Sequence, residues 1–280
     1  MPYAPAAAAR LYYEETGSGY PVIFVHEFAN DHRGWDSQVA WFSRHYRCIA
    51  FNARGYPPSD VPDSDVAYGH EQAAADIAAV MRHLGVERAH IVGLSMGGYA
   101  TLVFGLRYPA MVSALVVAGC GSGSEASYRE AYLRAISTRV ERLRTEGIAA
   151  KVAEATDDPS RIQLRDKDPR AWETFLHDLG EHSAAGSAMT LRNFQGKRPP
   201  LHTFEPELQR LTTPMLLITG DEDEHCLQSS LYLKRVVPNS GLWVLPRTGH
   251  AVNLEEPAAF NAAVQEFFGA AERGTWPRAR

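Results

Sequence analysis

Short apolar runs, each closed by a polar or glycine-bearing loop, recur along the chain. Residues 11–15, the glycine turn at 16–20 and residues 21–25 read as strand, turn, strand. The second run is continuously apolar, as a strand covered on both faces must be. Residues 48–51, 89–92, 114–118, 215–219 and 242–245 repeat the pattern. Between them lie stripes with helical spacing. Ile77, Val80, Met81 and Leu84 fall at i, i+3, i+4 and i+7, with Gly85 where a C-terminal glycine cap belongs. Phe260, Val264, Phe267 and Phe268 repeat the stripe near the C-terminus. Strands alternating with helices predict an α/β fold, a mostly parallel sheet flanked by helices.

The alternation breaks between residues 121 and 200, where no convincing strand occurs and residues 125–146, 148–155, 169–179 and 183–192 carry helix-like runs. The chain therefore divides into a first part of the core at 1–120, an inserted helical cap at 121–200 and a second part of the core at 201–280. The polar tail at 273–280 is expected to fray.

Composition narrows the function. The chain has 280 residues, 45% hydrophobic and 22% charged, with a formal net charge of −5. These are globular values, and the acidic balance argues against a nucleic-acid partner, which calls for a concentrated basic face. No uninterrupted apolar window is long enough to predict a membrane span. The run at residues 5–9 has no basic residues before it and is too short for a secretory signal, so a cytoplasmic protein is expected. Cys48, Cys120 and Cys226 lack CxxC spacing, which favours neither a disulfide framework nor zinc. The Arg134, Arg139, Arg142, Arg144 run reads as a solvated helix face. Oligomeric state stays open, a homo-oligomer included.

Gly93-Leu94-Ser95-Met96-Gly97 follows one predicted strand directly and opens a helical run, the context a G-x-S-x-G nucleophile elbow requires. The bare pattern also fits an ordinary glycine turn. What separates the two is whether a base and an acid lie within reach, since a serine hydroxyl is a poor nucleophile alone. Of the 11 histidines, His250 stands on the loop after the last predicted strand, at the edge where parallel sheets bind ligands; His83 lies on an amphipathic helix, and His177 and His182 lie in the cap. The loop after residues 215–219 offers Asp221, Glu222, Asp223 and Glu224 as the acid, whereas the loop after residues 114–118 has no carboxylate. Asp221, Asp223, His225 and Cys226 resemble a metal loop only faintly. The sharp-turn glycine and paired His/Cys spacing are missing, so neither metal nor cofactor is expected.

With these segments in place, the chain resembles capped serine hydrolases of the α/β-hydrolase fold superfamily along essentially its whole length. The matching motifs are the strand ending at His26, Asn52-Ala53-Arg54-Gly55-Tyr56, Gly93 to Gly98, Gly220 to Asp223, and Gly249-His250 with Glu256-Pro257 behind it. The resemblance implies Ser95 as nucleophile, His250 as base and Asp223 as the orienting acid. It also implies an oxyanion hole from the amides of Met96 and Phe28. In similar proteins the first loop reads His-Gly-x-Pro; here it reads His26-Glu27-Phe28-Ala29, without the glycine or the proline. Glu27 reads either as a polar group lining the site or as a side chain turned away to pair with Arg54 or another neighbour.

The expected activity is hydrolysis of a small carboxylic ester, lactone or thioester through an acyl-enzyme, with a small-molecule substrate as the partner. A carbon–carbon bond hydrolase of a ring-cleavage product is the alternative, although similar proteins of that type carry asparagine and tryptophan where this chain has Leu94 and Ala251. A non-catalytic ligand-binding protein on the same fold is the rival from another class.

Overall fold

The computed structural model describes residues 2–276. Its strands are β1 (Tyr3–Ala6), β2 (Ala9–Thr16), β3 (Tyr20–Val25), β4 (Tyr46–Phe51), β5 (Ala89–Leu94), β6 (Val112–Ala118), β7 (Met215–Gly220) and β8 (Ser240–Leu245). They form one eight-stranded sheet in the order β1-β2-β4-β3-β5-β6-β7-β8, in which β2 is antiparallel to both neighbours and β3 to β8 are parallel. The continuous apolar run in β3 is explained by the pleat. Ile23 and Val25 enter the core on one face of the sheet, and Val22 and Phe24 enter it on the other.

The helices are α1 (Asp36–Phe42), α2 (His70–His83), α3 (Met96–Arg107), α4 (Ala126–Glu146), α5 (Ile148–Asp157), α6 (Ile162–Lys167), α7 (Pro169–Gly180), α8 (Ala184–Thr190), α9 (Glu205–Leu208), α10 (Glu224–Val236), α11 (Val252–Glu255) and α12 (Pro257–Glu272). The α2 stripe, Ile77, Val80 and Met81, joins Leu102 and Val103 of α3 against one face, while Phe260, Val264, Phe267 and Phe268 of α12 cover the other. Six helices, α4 to α9, intervene between β6 and β7. They gather Ala155, Leu164, Trp172, Phe175 and Leu179 into a cluster of their own, which includes Ala29 from the loop after β3.

Three expectations change. β1 and the short α6 have no counterpart in the hydrophobic pattern as read above. Residues 273–276 do not fray: Trp276 meets Phe267 edge-on at 4.6 Å and donates its indole N–H to Asn239 O at 3.1 Å. The rest of the predicted frayed tail, 277–280, lies outside the described residues. The arginine run is solvated at Arg134, Arg142 and Arg144, each paired with a glutamate on the same helix, but Arg139 stands 5.5 Å over the Phe28 ring and pairs with Glu154. Among the described residues no helix is long and apolar enough to cross a membrane.

Candidate active site

Ser95 sits between the end of β5 and the first turn of α3, with φ 56° and ψ −112°, a conformation costly for a residue with a Cβ. Its N–H is tied to Ala118 O at 2.8 Å, and α3 starts at the next residue, so the unpaired amides of that first turn face the same space. The turn closes against β3: a Cβ at Gly97 would come within 2.1 Å of Val25 O. Ser95 is partly exposed, within reach of solvent and ligand.

His250 follows β8 and lies with its imidazole against Gly119, the residue after the carbonyl that holds Ser95. Its Nδ1 is 2.6 Å from Asp223 Oδ2. Burial works against a charged imidazole, yet the Asp223 carboxylate raises its pKa above the ordinary histidine value; reciprocally, His250 outweighs burial and lowers Asp223. Glu255 fixes the loop by accepting from Gly249 N at 2.7 Å and Ala251 N at 3.0 Å. The His250 amide donates to Ser160 O at 2.8 Å, so the helices inserted after β6 also hold this loop. A Cβ at Gly249 would meet the same Ser160 oxygen at 2.2 Å. Ser95 Oγ and His250 Nε2 make no direct hydrogen bond in this structure.

The loop after β3 is rebuilt around its missing glycine and proline. His26 is buried and its pKa is down at about 4, chiefly by burial, so the ring is neutral. Its Nε2 accepts from Ala53 N at 2.9 Å, leaving Nδ1–H to donate to Glu27 O at 2.7 Å. That carbonyl shares a trans peptide with the Phe28 N–H, so fixing one aims the other in the opposite direction. The next carbonyl, Phe28 O, accepts from Tyr56 Oη at 3.0 Å and from Lys151 Nζ at 2.8 Å. Lys151 is buried on α5, where burial holds its ammonium well below the ordinary lysine pKa; Ser187 Oγ and His182 Nδ1 lie 3.1 Å from it. His182 is neutral, its pKa down at about 4 mainly through burial, and its Nε2 faces Asp31 Oδ2 at 3.5 Å.

Glu27 is 2% exposed and points into the site. It does not pair with Arg54, which instead grips Asp76 at 2.7 and 2.8 Å. Its partner is Arg161, just before α6, which donates to Oε1 at 2.9 Å and Oε2 at 2.5 Å. Burial would raise the Glu27 pKa, but Arg161 outweighs it and brings the carboxyl down to about 2. Oε2 also lies 3.9 Å from His250 Nε2.

Of the predicted residues, the structure thus gathers Ser95, Met96, His250, Asp223, Phe28 and Glu27 at the C-terminal edge of the parallel strands. Lys151, Arg161, His182 and Tyr56 join them without having been singled out as site residues. The Lys151–Phe28 and Arg161–Glu27 contacts span 123 and 134 residues, and no local pattern could have flagged them.

Asp223, Cys226 and His250 have ligand atoms within 4.8 Å of one another. Hydrogen bonding accounts for that cluster, since Nδ1 is committed to Asp223 and the Cys226 thiol to Gly119 O at 3.2 Å. Asp221 and His225 of the same loop turn to other partners: Asp221 accepts from Thr248 N and His225 stacks on Tyr128. A small cavity with about 30 Å³ of space for water-sized occupants adjoins Met96, lined by Val25, Tyr56, Tyr68, Thr190 and Phe194 among others.

The model of the alpha/beta hydrolase fold family matches residues 20–257. The chain is 29% identical to 3-oxoadipate enol-lactonase 2 of Acinetobacter baylyi over 248 aligned residues, covering 87% of this chain and 86% of that protein. It is also 29% identical to a 2-hydroxy-6-oxononadienedioate/2-hydroxy-6-oxononatrienedioate hydrolase of Burkholderia vietnamiensis, covering 92% and 90%. A solved enol-lactonase from Burkholderia xenovorans shares the fold with a TM-score of 0.84 at 22% identity, over 96% of this chain and 100% of that one.

Proposed function

The chain belongs to the alpha/beta hydrolase fold family and is a hydrolase, and from that premise we propose that it cleaves small, largely apolar carboxylic esters, lactones or thioesters through an acyl-enzyme on Ser95. The observation that carries this reading is the strained Ser95 at the head of α3, beside a histidine whose far nitrogen is held 2.6 Å from a buried aspartate.

Ser95 Oγ attacks the acyl carbon while its proton passes to His250 Nε2, and Asp223 stabilises the imidazolium through Nδ1. The carbonyl oxygen becomes an oxyanion held by the Met96 and Phe28 amides. Collapse of the tetrahedral intermediate breaks the bond to the leaving group, which takes the proton from His250. Water, deprotonated by the same histidine, then attacks the acyl carbon and frees the acid and Ser95. The helices at 121–200 act as a cap that limits substrate size and excludes water.

The similarity to the Burkholderia vietnamiensis hydrolase favours a second reading, cleavage of a carbon–carbon bond with the same residues. Treatment with a small organophosphonate, followed by mass spectrometry, tests the nucleophile. We expect one adduct on Ser95 and no turnover of p-nitrophenyl acetate by Ser95→Ala. Labelling elsewhere, or turnover surviving in the variant, would sink the proposal. Comparing an enol-lactone with a vinylogous diketone then separates the two bond types.

A further inference from the structure

The carboxylate of Glu27 has no part in the steps above, yet it is buried within 3.9 Å of the nitrogen through which the proton moves. We propose that Glu27 is a positioning residue for His250, a second counter-charge acting on Nε2, and that Arg161 holds it ionised and moderates its pull. This inference rests on the Ser95–His250 reading.

The geometry gives the two ring nitrogens different partners. Asp223 Oδ2 takes Nδ1 at 2.6 Å, while Glu27 Oε2 faces Nε2 from the opposite side. While the ring is neutral, the Nε2 lone pair gains nothing from a carboxylate. Once Ser95 gives up its proton, Nε2–H carries positive charge and the same carboxylate becomes attractive. The interaction is therefore stronger in the transition state than in the resting site, which is the condition for it to accelerate the reaction. A bare carboxylate in the loop that carries the Phe28 amide would also repel the oxyanion. The bidentate guanidinium of Arg161 offsets that repulsion and keeps Glu27 charged despite burial.

Other charged or titratable groups face this assembly from each surrounding element. Asp223 and Cys226 come from the start of α10, with Cys226 Sγ 4.0 Å from Nδ1. Glu255 of α11 holds the His250 loop and has Lys167 of α6 at 3.9 Å. Asp158 lies 3.7 Å from Arg161 Nε, and Lys151 of α5 adds positive charge near Glu27. Among the described residues, only Glu27 approaches His250 from the Nε2 side with an anionic group, and Arg161 acts on His250 in the opposite sense.

The two partners should therefore move the reaction's pH dependence in opposite directions. In kcat/KM profiles with p-nitrophenyl acetate, Glu27→Gln removes the attraction, so the acid limb moves to lower pH, by about one unit. Arg161→Gln removes the cation that repels the proton on His250, a larger influence than the attraction of Glu27, so the limb moves up even as Glu27 loses the partner that keeps it ionised, and Arg161→Lys returns it toward wild type. A scaffolding role would lower activity in these variants without opposed shifts. Unmoved limbs, or shifts of the same sign, would overturn the inference. If Arg161→Gln does not fold, NMR titration of His250 in Ser95→Ala, with and without Glu27→Gln, reads the same effect without turnover. A lower His250 midpoint in the Glu27→Gln variant supports the inference, and an unchanged midpoint overturns it. Turnover surviving in Ser95→Ala would remove the reading beneath it, and the inference with it. A dead Ser95→Ala with unmoved limbs would leave that reading standing and remove only the role of Glu27.

Discussion

Lys151 shows what the loop after β3 requires once glycine and proline are gone from it. Its ammonium and the Tyr56 hydroxyl both hold Phe28 O, while His26 holds the preceding carbonyl, so one peptide flanking Phe28 is fixed from outside the loop and the other from its first residue. Lys151→Met keeps much of the volume but removes one of these anchors. The substitution relieves the desolvation of a buried ammonium, which offsets the donor that Phe28 O and Ser187 Oγ lose. We therefore expect kcat to fall about 10- to 100-fold with little change in KM or Tm, because a displaced oxyanion donor costs the transition state rather than the fold. Steady-state kinetics with a thermal melt checks this; a matching collapse of Tm would assign Lys151 to folding instead.

At the scale of elements, what could be read from the sequence followed from periodicity and turn chemistry. The α2 and α12 stripes and the continuous runs of the parallel strands are strong signals; Ser95 stands directly after one such run, and His250 on the loop that follows another. β1 escaped because it has four residues with Pro5 inside, which an edge strand tolerates, and because it turns into β2 through Ala8 at φ 60° with no glycine or asparagine to mark the turn. At six residues, α6 is too short to show a period, and so Arg161 at its start gave no sign of its partner. At the C-terminus, Trp276 packs on Phe267 and against Gly241, near the start of β8 and at the opposite end of that strand from His250. Trp276→Ala should lower stability by about 1–3 kcal/mol, read as a drop of several degrees in Tm, with kcat/KM unchanged. A change in kcat/KM would mean that the two ends of the sheet are coupled.

Across the whole molecule, buried neutral histidines should dominate the loss of stability in acid. His26 and His182 both have pKa values brought down to about 4, mainly by burial, and both are wired into the loop after β3 or the helix that clamps it. The unfolded chain binds protons at these positions below about pH 6.5, where the folded chain does not. Their contribution is therefore complete above about pH 6.5 and is lost as the pH falls toward 4, by on the order of 3 kcal/mol for each ring at most. Glu27, down at about 2, works in a lower window, losing its contribution only as the pH falls from about 4.5 through 2. Melting curves between pH 7 and 4 should show Tm declining before the carboxylates titrate, and His182→Gln should flatten that decline. An unchanged slope in the variant would place the acid sensitivity elsewhere.

The Arg161–Glu27 pair also bears on how such a protein can be recombined. Helical inserts look like interchangeable cassettes, because both ends join the sheet at neighbouring strands, β6 and β7. Here the cassette carries the guanidinium that grips a buried carboxylate of the receiving scaffold. Grafting in a foreign insert would strand Glu27, a loss of about 3–5 kcal/mol for a broken buried pair. Any chimera built on this scaffold has to exchange position 27 together with the insert, as one inheritable unit.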